Sequence, residues 1–460
     1  MSESVLDVAQ KAVAPDEGRP PRAGRVSVLA ATVGTAALNL STTAVNFVVV
    51  LVLGRALGAD GYGAYAYATA WAIFLSVPAS LGLTPLVIRH VASYVAHGRW
   101  GLVRGLVLRT HQVVLASSVL LVGGGALVGW QLHSGDDQLR TPFLIGLLLV
   151  PLMSLTSLRQ AVLKGLNRVI LGRVPETLVV PGLFLALAAA AWAALGDRFD
   201  AEWAVGLYVV AVLVGFVVGT VILRLVTPRE VRSATAEDEV RAWIRSGLPL
   251  MAIGLLLVVQ SQIGTILLGS MDSAKAAGIF TAATKVAMFT SFLYLAATYP
   301  LYPTVARLWA TGEKAELQRV LTRTIRLVLL GSVVVAVVFL VFGAPILRVL
   351  NTDFEGGVTA LRILTVGELL KVLAGFGGLA LVMTPFEGSM ARAMAVGVAV
   401  NVPLTAALIP VWGASGAALG TSVSVLLSSA YIAWLAWRDL GVYSPALGPV
   451  GRLAGRTAAR

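Results

Sequence analysis

Residues Asn46 to Ala70 align without a gap on residues Ser261 to Lys285, 215 positions further along the chain. Leu53, Gly54, Ala59, Gly63, Ala68 and Thr69 of the first copy meet Leu268, Gly269, Ala274, Gly278, Ala283 and Thr284 of the second. Each copy also leads to a proline followed four positions later by an arginine, Pro85 with Arg89 and Pro303 with Arg307. Both copies lie within long apolar segments, so the repeated unit is a pair of membrane helices. A chain with this repeat must fold as two related helical halves. That plan is common in transporters, where the substrate site lies between the halves.

Composition fits a membrane bundle. Hydrophobic residues make up 57% and charged residues 13%, against about 25% charged in an ordinary soluble domain. A crossing helix needs about 20 apolar residues. That length predicts an all-α polytopic membrane protein of about twelve helices, near 26–52, 62–87, 102–129, 142–163, 175–195, 203–226, 244–269, 277–303, 321–346, 358–383, 390–410 and 413–437. Residues 1–25 are polar and proline-bearing and read as a disordered cytoplasmic tail without the apolar core of a signal peptide. The expected divisions are an N-lobe over 26–226, a solvated cytoplasmic linker over 227–243, a C-lobe over 244–437 and a cytoplasmic tail over 438–460.

The charge is +12, with Lys and Arg totalling 35. These residues stand singly between apolar runs, which marks membrane orientation and argues against nucleic acid. With both termini in the cytoplasm, only Arg55, Arg140, Arg198, Lys275, Arg348 and Arg362 fall on the opposite side, and Lys285 and Lys371 lie within spans. The remainder are assigned to cytoplasmic regions, a strong positive-inside bias. There is no cysteine, and His90, His97, His111 and His133 have no metal-ligand spacing. No cofactor or metal is expected, and no phosphate-binding Gly-rich loop with a Lys-Ser/Thr end is present.

The first hairpin runs Gly54-Arg-Ala-Leu-Gly-Ala-Asp-Gly-Tyr-Gly-Ala-Tyr and ends Leu81-Gly-Leu-Thr-Pro-Leu-Val-Ile-Arg89. With Lys164-Gly-Leu-Asn-Arg168 after helix 4 and Ile409-Pro-Val-Trp-Gly-Ala-Ser-Gly-Ala-Ala-Leu-Gly-Thr-Ser422 at helix 12, it resembles the Wzx-like polysaccharide-biosynthesis flippases of the MOP superfamily. The resemblance spans residues 26–437. It implies a MATE-like architecture, two six-helix lobes around a cavity that opens alternately to each side. It also implies a cargo, a sugar or oligosaccharide on a polyprenyl pyrophosphate, moved to the outer leaflet of a bacterial cytoplasmic membrane. Expected partners are this lipid-linked anionic glycan, the bilayer, and a polysaccharide polymerase or glycosyltransferases.

Lys285 and Lys371 are the candidate cavity cations, each about nine residues into its helix and so roughly 13 Å deep. Glu368 lies three residues before Lys371 on the same face. That pair can equally be a structural lock, whereas Lys285 has no local acid. Asn39 and Asn46 in helix 1, and Gln260 and Gln262 in helix 7, bring polar groups to corresponding places in the repeat. They fit cavity lining or helix–helix hydrogen bonding, as do Thr281, Thr284 and Thr298 beside Lys285. Arg89 and Arg307 read as orienting charges that snorkel to headgroups. Their recurrence adds a second reading, a cytoplasmic gate that meets the pyrophosphate. Arg55, at the outer turn, is expected to touch headgroups.

Three alternatives stand beside the flippase. A cation-coupled MATE-type exporter needs an intramembrane carboxylate, and Glu368 is the one acid expected deep in a span. A lipid II flippase is implied by resemblance to carry two additional helices. A membrane enzyme would need catalytic groups in outer loops, and the longest, Trp130 to Thr141, offers only His133, Asp136 and Asp137. The chain therefore reads as a transporter and not an enzyme.

Overall fold

The computed structural model of the chain describes residues 25–132, 137–237, 239–384, 387–443 and 446. In chain order its helices are α1 (Arg25–Ala79), α2 (Leu83–Ala96), α3 (Trp100–Leu132), α4 (Asp137–Gly146), α5 (Leu149–Gly165), α6 (Val169–Val174), α7 (Val180–Leu195), α8 (Ala201–Val226), α9 (Arg229–Ser233), α10 (Val240–Met271), α11 (Ala274–Ala287), α12 (Phe292–Ala310), α13 (Lys314–Leu350), α14 (Val358–Ala374), α15 (Gly377–Val382) and α16 (Glu387–Leu435). A π-helical turn, Pro175–Val179, joins α6 to α7, and a 3-10 turn, Met288–Ser291, joins α11 to α12.

Nine helical runs among the described residues are long and apolar enough to cross a membrane. Two of them double back. α1 reverses at Gly58, with φ 64° and ψ −171°, a region open almost only to glycine. α16 reverses at Gly413, with φ 51° and ψ −129°. The arms of α16 pack in antiparallel register: Ser424 Oγ donates to the Gly397 carbonyl at 2.7 Å, Gly420 lies on Thr405, and Gly416 lies on Leu408. One further pass, α14 with α15, is broken at Gly375. Nine runs, two reversals and this broken pass account for the twelve predicted crossings.

The repeat is built into the packing. α10 and α11 form a hairpin in which the Thr265 and Thr281 hydroxyls share a 2.9 Å hydrogen bond, and the Ser273 Oγ accepts from Ala276 N to cap α11. The second arm of α1 runs antiparallel to α10, with Tyr67 at Ser270 and Val77 beside Gly254. Its first arm folds back, so Phe47 meets Phe289 edge-on at 5.2 Å. Between the halves, the matched residues Gly63 and Gly278 touch. A Cβ on Gly63 would overlap the Ala274 carbonyl, and a Cβ on Gly278 would overlap the Ala59 carbonyl. Ala59 and Ala274 are themselves a matched pair, so the contact is reciprocal, as a local two-fold axis requires.

At the Gly58 end of the bundle, one apolar cluster takes in both halves, with Leu53, Tyr62, Leu268, Phe280, Leu350 and Phe354. Toward the Gly98 end the core divides. One cluster, around Leu86, Leu106 and Leu158, also holds the foot of α10 through Trp243. The other, around Leu317, Phe376 and Leu440, belongs to the second half. The halves are thus joined at one end and separately cored at the other.

Several sequence expectations change. The linker is solvated on one side only: Val231 and Trp243 are buried, Arg104 donates to the Arg232 and Ala234 carbonyls, and Glu237 N donates to the Gly101 carbonyl. The expected tail is anchored where it begins. Gln318 and Tyr443 exchange two hydrogen bonds, at 2.7 and 2.6 Å, and Ala446 N donates to the Leu373 carbonyl at 3.0 Å. Arg55 does not simply reach for headgroups, because its Nε donates to the Val349 carbonyl across the halves at 2.9 Å. Residues 1–24, most of the expected N-terminal tail, and residues 133–136, including His133 and Asp136, lie outside the described residues.

Candidate functional site

Two helices of the second half are interrupted midway, and each break follows one of the candidate lysines. Lys285 is in the last turn of α11, ahead of the 3-10 turn. Lys371 is in the last turn of α14, ahead of Gly375, whose φ of 85° ends the helix. The breaks pack on each other: the Tyr294 ring stacks on Phe376 at 4.9 Å, and the Tyr294 hydroxyl donates to the Gly375 carbonyl at 3.3 Å. An interrupted helix leaves backbone groups without intrahelical partners at membrane depth, and such breaks recur at transporter binding sites. Lys285 sits deeper than expected because α11 starts at Ala274, ahead of the predicted 277; α14 starts at Val358 as predicted, and Lys371 stands thirteen residues into it rather than nine. At 1.5 Å per residue they lie roughly 17 and 20 Å along their helices.

Their surroundings differ. Lys371 forms an ion pair with Glu368, and the two side chains are 33% and 19% exposed. This is the pairing expected from sequence, and it neutralises both groups. Lys285 has an exposed side chain on α11, a helix packed against α1, α10 and α14. The lysine is thus an exposed cation on a helix of the bundle interior. No carboxylate forms an ion pair with Lys285 among the described residues.

The polar stripe beside Lys285 is largely satisfied within the protein. Thr281 is bonded to Thr265. Thr284 donates to the Phe280 carbonyl and Thr298 to the Tyr294 carbonyl, both at 2.8 Å. Such back-bonding leaves these hydroxyls less available to a ligand. Gln260 and Gln262 are partly buried on α10, with the Gln260 amide beside Gly397 of α16. Asn46 is exposed on α1, and Asn39 lies where only the backbone of α1 is described.

Arg89 and Arg307 are exposed, near the Gly98 end, on α2 and α12. Burial, and then the neighbouring Arg89 charge, lowers the affinity of His90 for a proton, with Glu239 of the linker pulling the other way. Arg89 and Glu239 of the linker therefore lie on either side of His90 in charge, the one opposing and the other favouring its protonation. Among the described residues no ion pair joins Arg89 or Arg307 to Lys285.

Sequence reasoning missed one intramembrane ion pair. Arg159 on α5 is 1% exposed; it donates to the Gly215 and Phe216 carbonyls at 3.2 and 2.8 Å and pairs with Glu176. A Cβ on Gly219 would strike its guanidinium, so that glycine makes the space. The π-helical turn at Pro175–Val179 carries Glu176 toward it, and its cause is visible in Pro175, which cannot donate a backbone hydrogen bond. Arg159 had been assigned to the cytoplasmic charge of the helix 4–5 region, and Glu368 is therefore not the one acid within the spans. A signal was present, since Arg159 falls inside the predicted 142–163 span and Glu176 inside the 175–195 span.

The fold is similar to that of solved transporters of the MOP superfamily. An inward-facing multidrug resistance MATE transporter of that superfamily superimposes with a TM-score of 0.68, 13% identity and coverage of 88% of this chain and 98% of that one. The lipid II flippase MurJ in an inward closed conformation gives 0.69, with 11% identity and coverage of 88% and 87%. The chain belongs to the polysaccharide biosynthesis protein family, which matches residues 28–309, more than half of its length. Among curated proteins it is 25% identical over 408 residues to the probable flippase AglR of Haloferax volcanii, covering 85% of this chain and 79% of that protein.

Proposed function

We propose that the chain is a flippase that moves a lipid-linked anionic sugar or oligosaccharide across a cytoplasmic membrane by alternating access, for surface polysaccharide assembly. Membership of the polysaccharide biosynthesis family supports this reading, as does the similarity to a probable flippase. The single observation that carries the chemistry is Lys285, an exposed cation on an interior helix without a carboxylate partner among the described residues. A compact ammonium suits a phosphate or pyrophosphate. In this reading the lobes are residues 26–226 and 244–437, both termini are cytoplasmic, and the Gly58 end faces outward. Lys285 contacts the cargo, Gln260, Gln262, Asn39 and Asn46 line its path, and Arg89 and Arg307 meet it at the cytoplasmic mouth. Lys371 and Glu368 hold the second break in place and become available only if their ion pair opens.

A cation-coupled exporter has less support. The fold does not separate the two, because MATE and MurJ superimpose equally well. Two acids within the spans, Glu176 and Glu368, are both paired to cations, whereas coupling and cationic-drug capture call for a carboxylate free to exchange partners.

The test is reconstitution in liposomes carrying a fluorescent polyprenyl-pyrophosphate glycan in one leaflet. The expected result is protein-dependent exposure of the glycan to a membrane-impermeant lectin. A protein that moves a cationic dye but leaves the glycan in place would replace the flippase with the exporter.

A further inference from the structure

A groove of about 360 Å³ opens on the flank of the second half between α14 and the second arm of α16. Its volume falls in the range of roughly 300–1,000 Å³ typical of small-molecule sites. The wall is apolar: Ile363, Val366, Leu370, Leu419, Val423 and Leu426 supply it. Val366 and Leu426 are 42% and 38% exposed, so the groove is open along its side. Its floor is a close approach of the two helices. Ser422 Oγ donates to the Ile363 carbonyl at 3.3 Å, and a Cβ on Gly367 would come within 2.6 Å of that hydroxyl.

One charge stands at its mouth. Arg362 lies one turn into α14, at the Gly58 end, where headgroups meet the bundle. Its Nε donates to the Leu340 carbonyl of α13 at 3.1 Å, which fixes the guanidinium over the groove. α13 bends at Phe342, where φ is −101° and ψ 20°, two residues past the carbonyl that Arg362 reaches. No carboxylate forms an ion pair with Arg362 among the described residues. An oriented cation at headgroup level above an apolar channel running down the membrane matches one amphiphile, a hydrocarbon chain under an anionic phosphate.

We propose that this groove is a binding site for an anionic glycerophospholipid of the leaflet at the Gly58 end, one chain lying along Val366 and Leu426 and its phosphodiester on Arg362. The single cation matches the single charge of a phosphodiester rather than a pyrophosphate. The site lies on the lipid-facing flank, away from Lys285, and is independent of the cargo proposed above. Occupancy would wedge a chain between α14 and α16, beside the helix whose break carries Lys371.

The test is native mass spectrometry of the purified full chain with equal amounts of phosphatidylglycerol and phosphatidylcholine bearing the same chains. The native protein is expected to retain phosphatidylglycerol with about a fivefold preference, the effect of one basic residue at headgroup level. Arg362→Gln removes the preference but keeps chain binding, and Val366→Trp, which fills the groove from its open side, reduces retention of both lipids. Arg348→Gln, at an exposed arginine of the same end already paired with Glu355, leaves the preference unchanged. Equal retention of the two lipids by the native protein, an undiminished preference in Arg362→Gln, or native retention by Val366→Trp would each overturn the proposal. Displacement of phosphatidylglycerol by a tenfold lower concentration of a polyprenyl phosphate would instead assign the groove to an isoprenoid tail.

Discussion

Alanine at either Gly63 or Gly278 is expected to destabilise the bundle, and to the same degree although the positions are 215 residues apart. At Gly63 the new methyl enters the Ala274 carbonyl and lies 2.9 Å from Gly278 N; at Gly278 it enters the Ala59 carbonyl and lies 2.9 Å from Gly63 N. Both obstacles are backbone, which cannot rotate aside, so the two halves must separate. Overpacking of this kind costs about 1–3 kcal/mol. The first methyl opens part of the space that the second needs, so the double substitution should cost less than the sum of the singles. Gly124→Ala is the control: the site has no neighbour within 4 Å, and in a helix the change is neutral or stabilising by up to about 1 kcal/mol. Denaturant unfolding in detergent, followed by tryptophan fluorescence, would measure all four proteins. A cost at one glycine and none at the other, or strict additivity in the double variant, would refute a reciprocal contact.

Three further outcomes are expected. Glu176→Gln should destabilise by about 3–5 kcal/mol, because it strands a buried charge, and Arg159→Gln by less, since Glu176 retains 22% exposure against 1% for Arg159; equal costs in unfolding experiments would contradict that asymmetry. Arg55→Gln removes the hydrogen bond to the Val349 carbonyl and should lengthen the distance between spin labels at Asp60 and Thr352, with an unchanged distance distribution counting against Arg55 as a latch. For orientation, a cysteine at Thr352 should react with an impermeant reagent in intact cells and one at Ser233 should not, and the reverse pattern would invert the bundle.

Much of the fold was legible because crossing a membrane imposes length and composition on each helix. The Gly58 reversal was readable from its glycine-rich run, and the 410–413 turn from Pro410 and Gly413. The repeat was readable because the residues that pack at its axis, Ala59 with Gly63 and Ala274 with Gly278, must stay small in both copies. Depth was harder to read. The start of α11 at Ala274, three residues before the predicted one, is set by Ser273 capping, a local feature that hydropathy smooths over. The breaks after Lys285 and Lys371 stand on each other through Tyr294 and Phe376, 82 residues apart, and no local pattern announces such a contact. Arg159 was assigned to a loop because a charge near a span end ordinarily snorkels to the surface. Only the Gly219 space and the displaced Glu176 turn it inward.

Lys285 is the centre of the functional account, and its charge can be removed with little change of shape. Flipping of a polyprenyl-pyrophosphate glycan should be measured in liposomes for the native chain, Lys285→Gln, Lys285→Arg and Lys275→Gln, at matched levels of folded protein. A hydrogen bond to a charged group contributes about 1.5–3 kcal/mol, so loss of the ammonium should slow flipping about 10- to 150-fold. Arginine at 285 should restore part of the rate, and Lys275→Gln, at an exposed residue in the first turn of α11, should leave it unchanged. A Lys285→Gln protein that folds normally and flips at the native rate would contradict Lys285 as the anion contact.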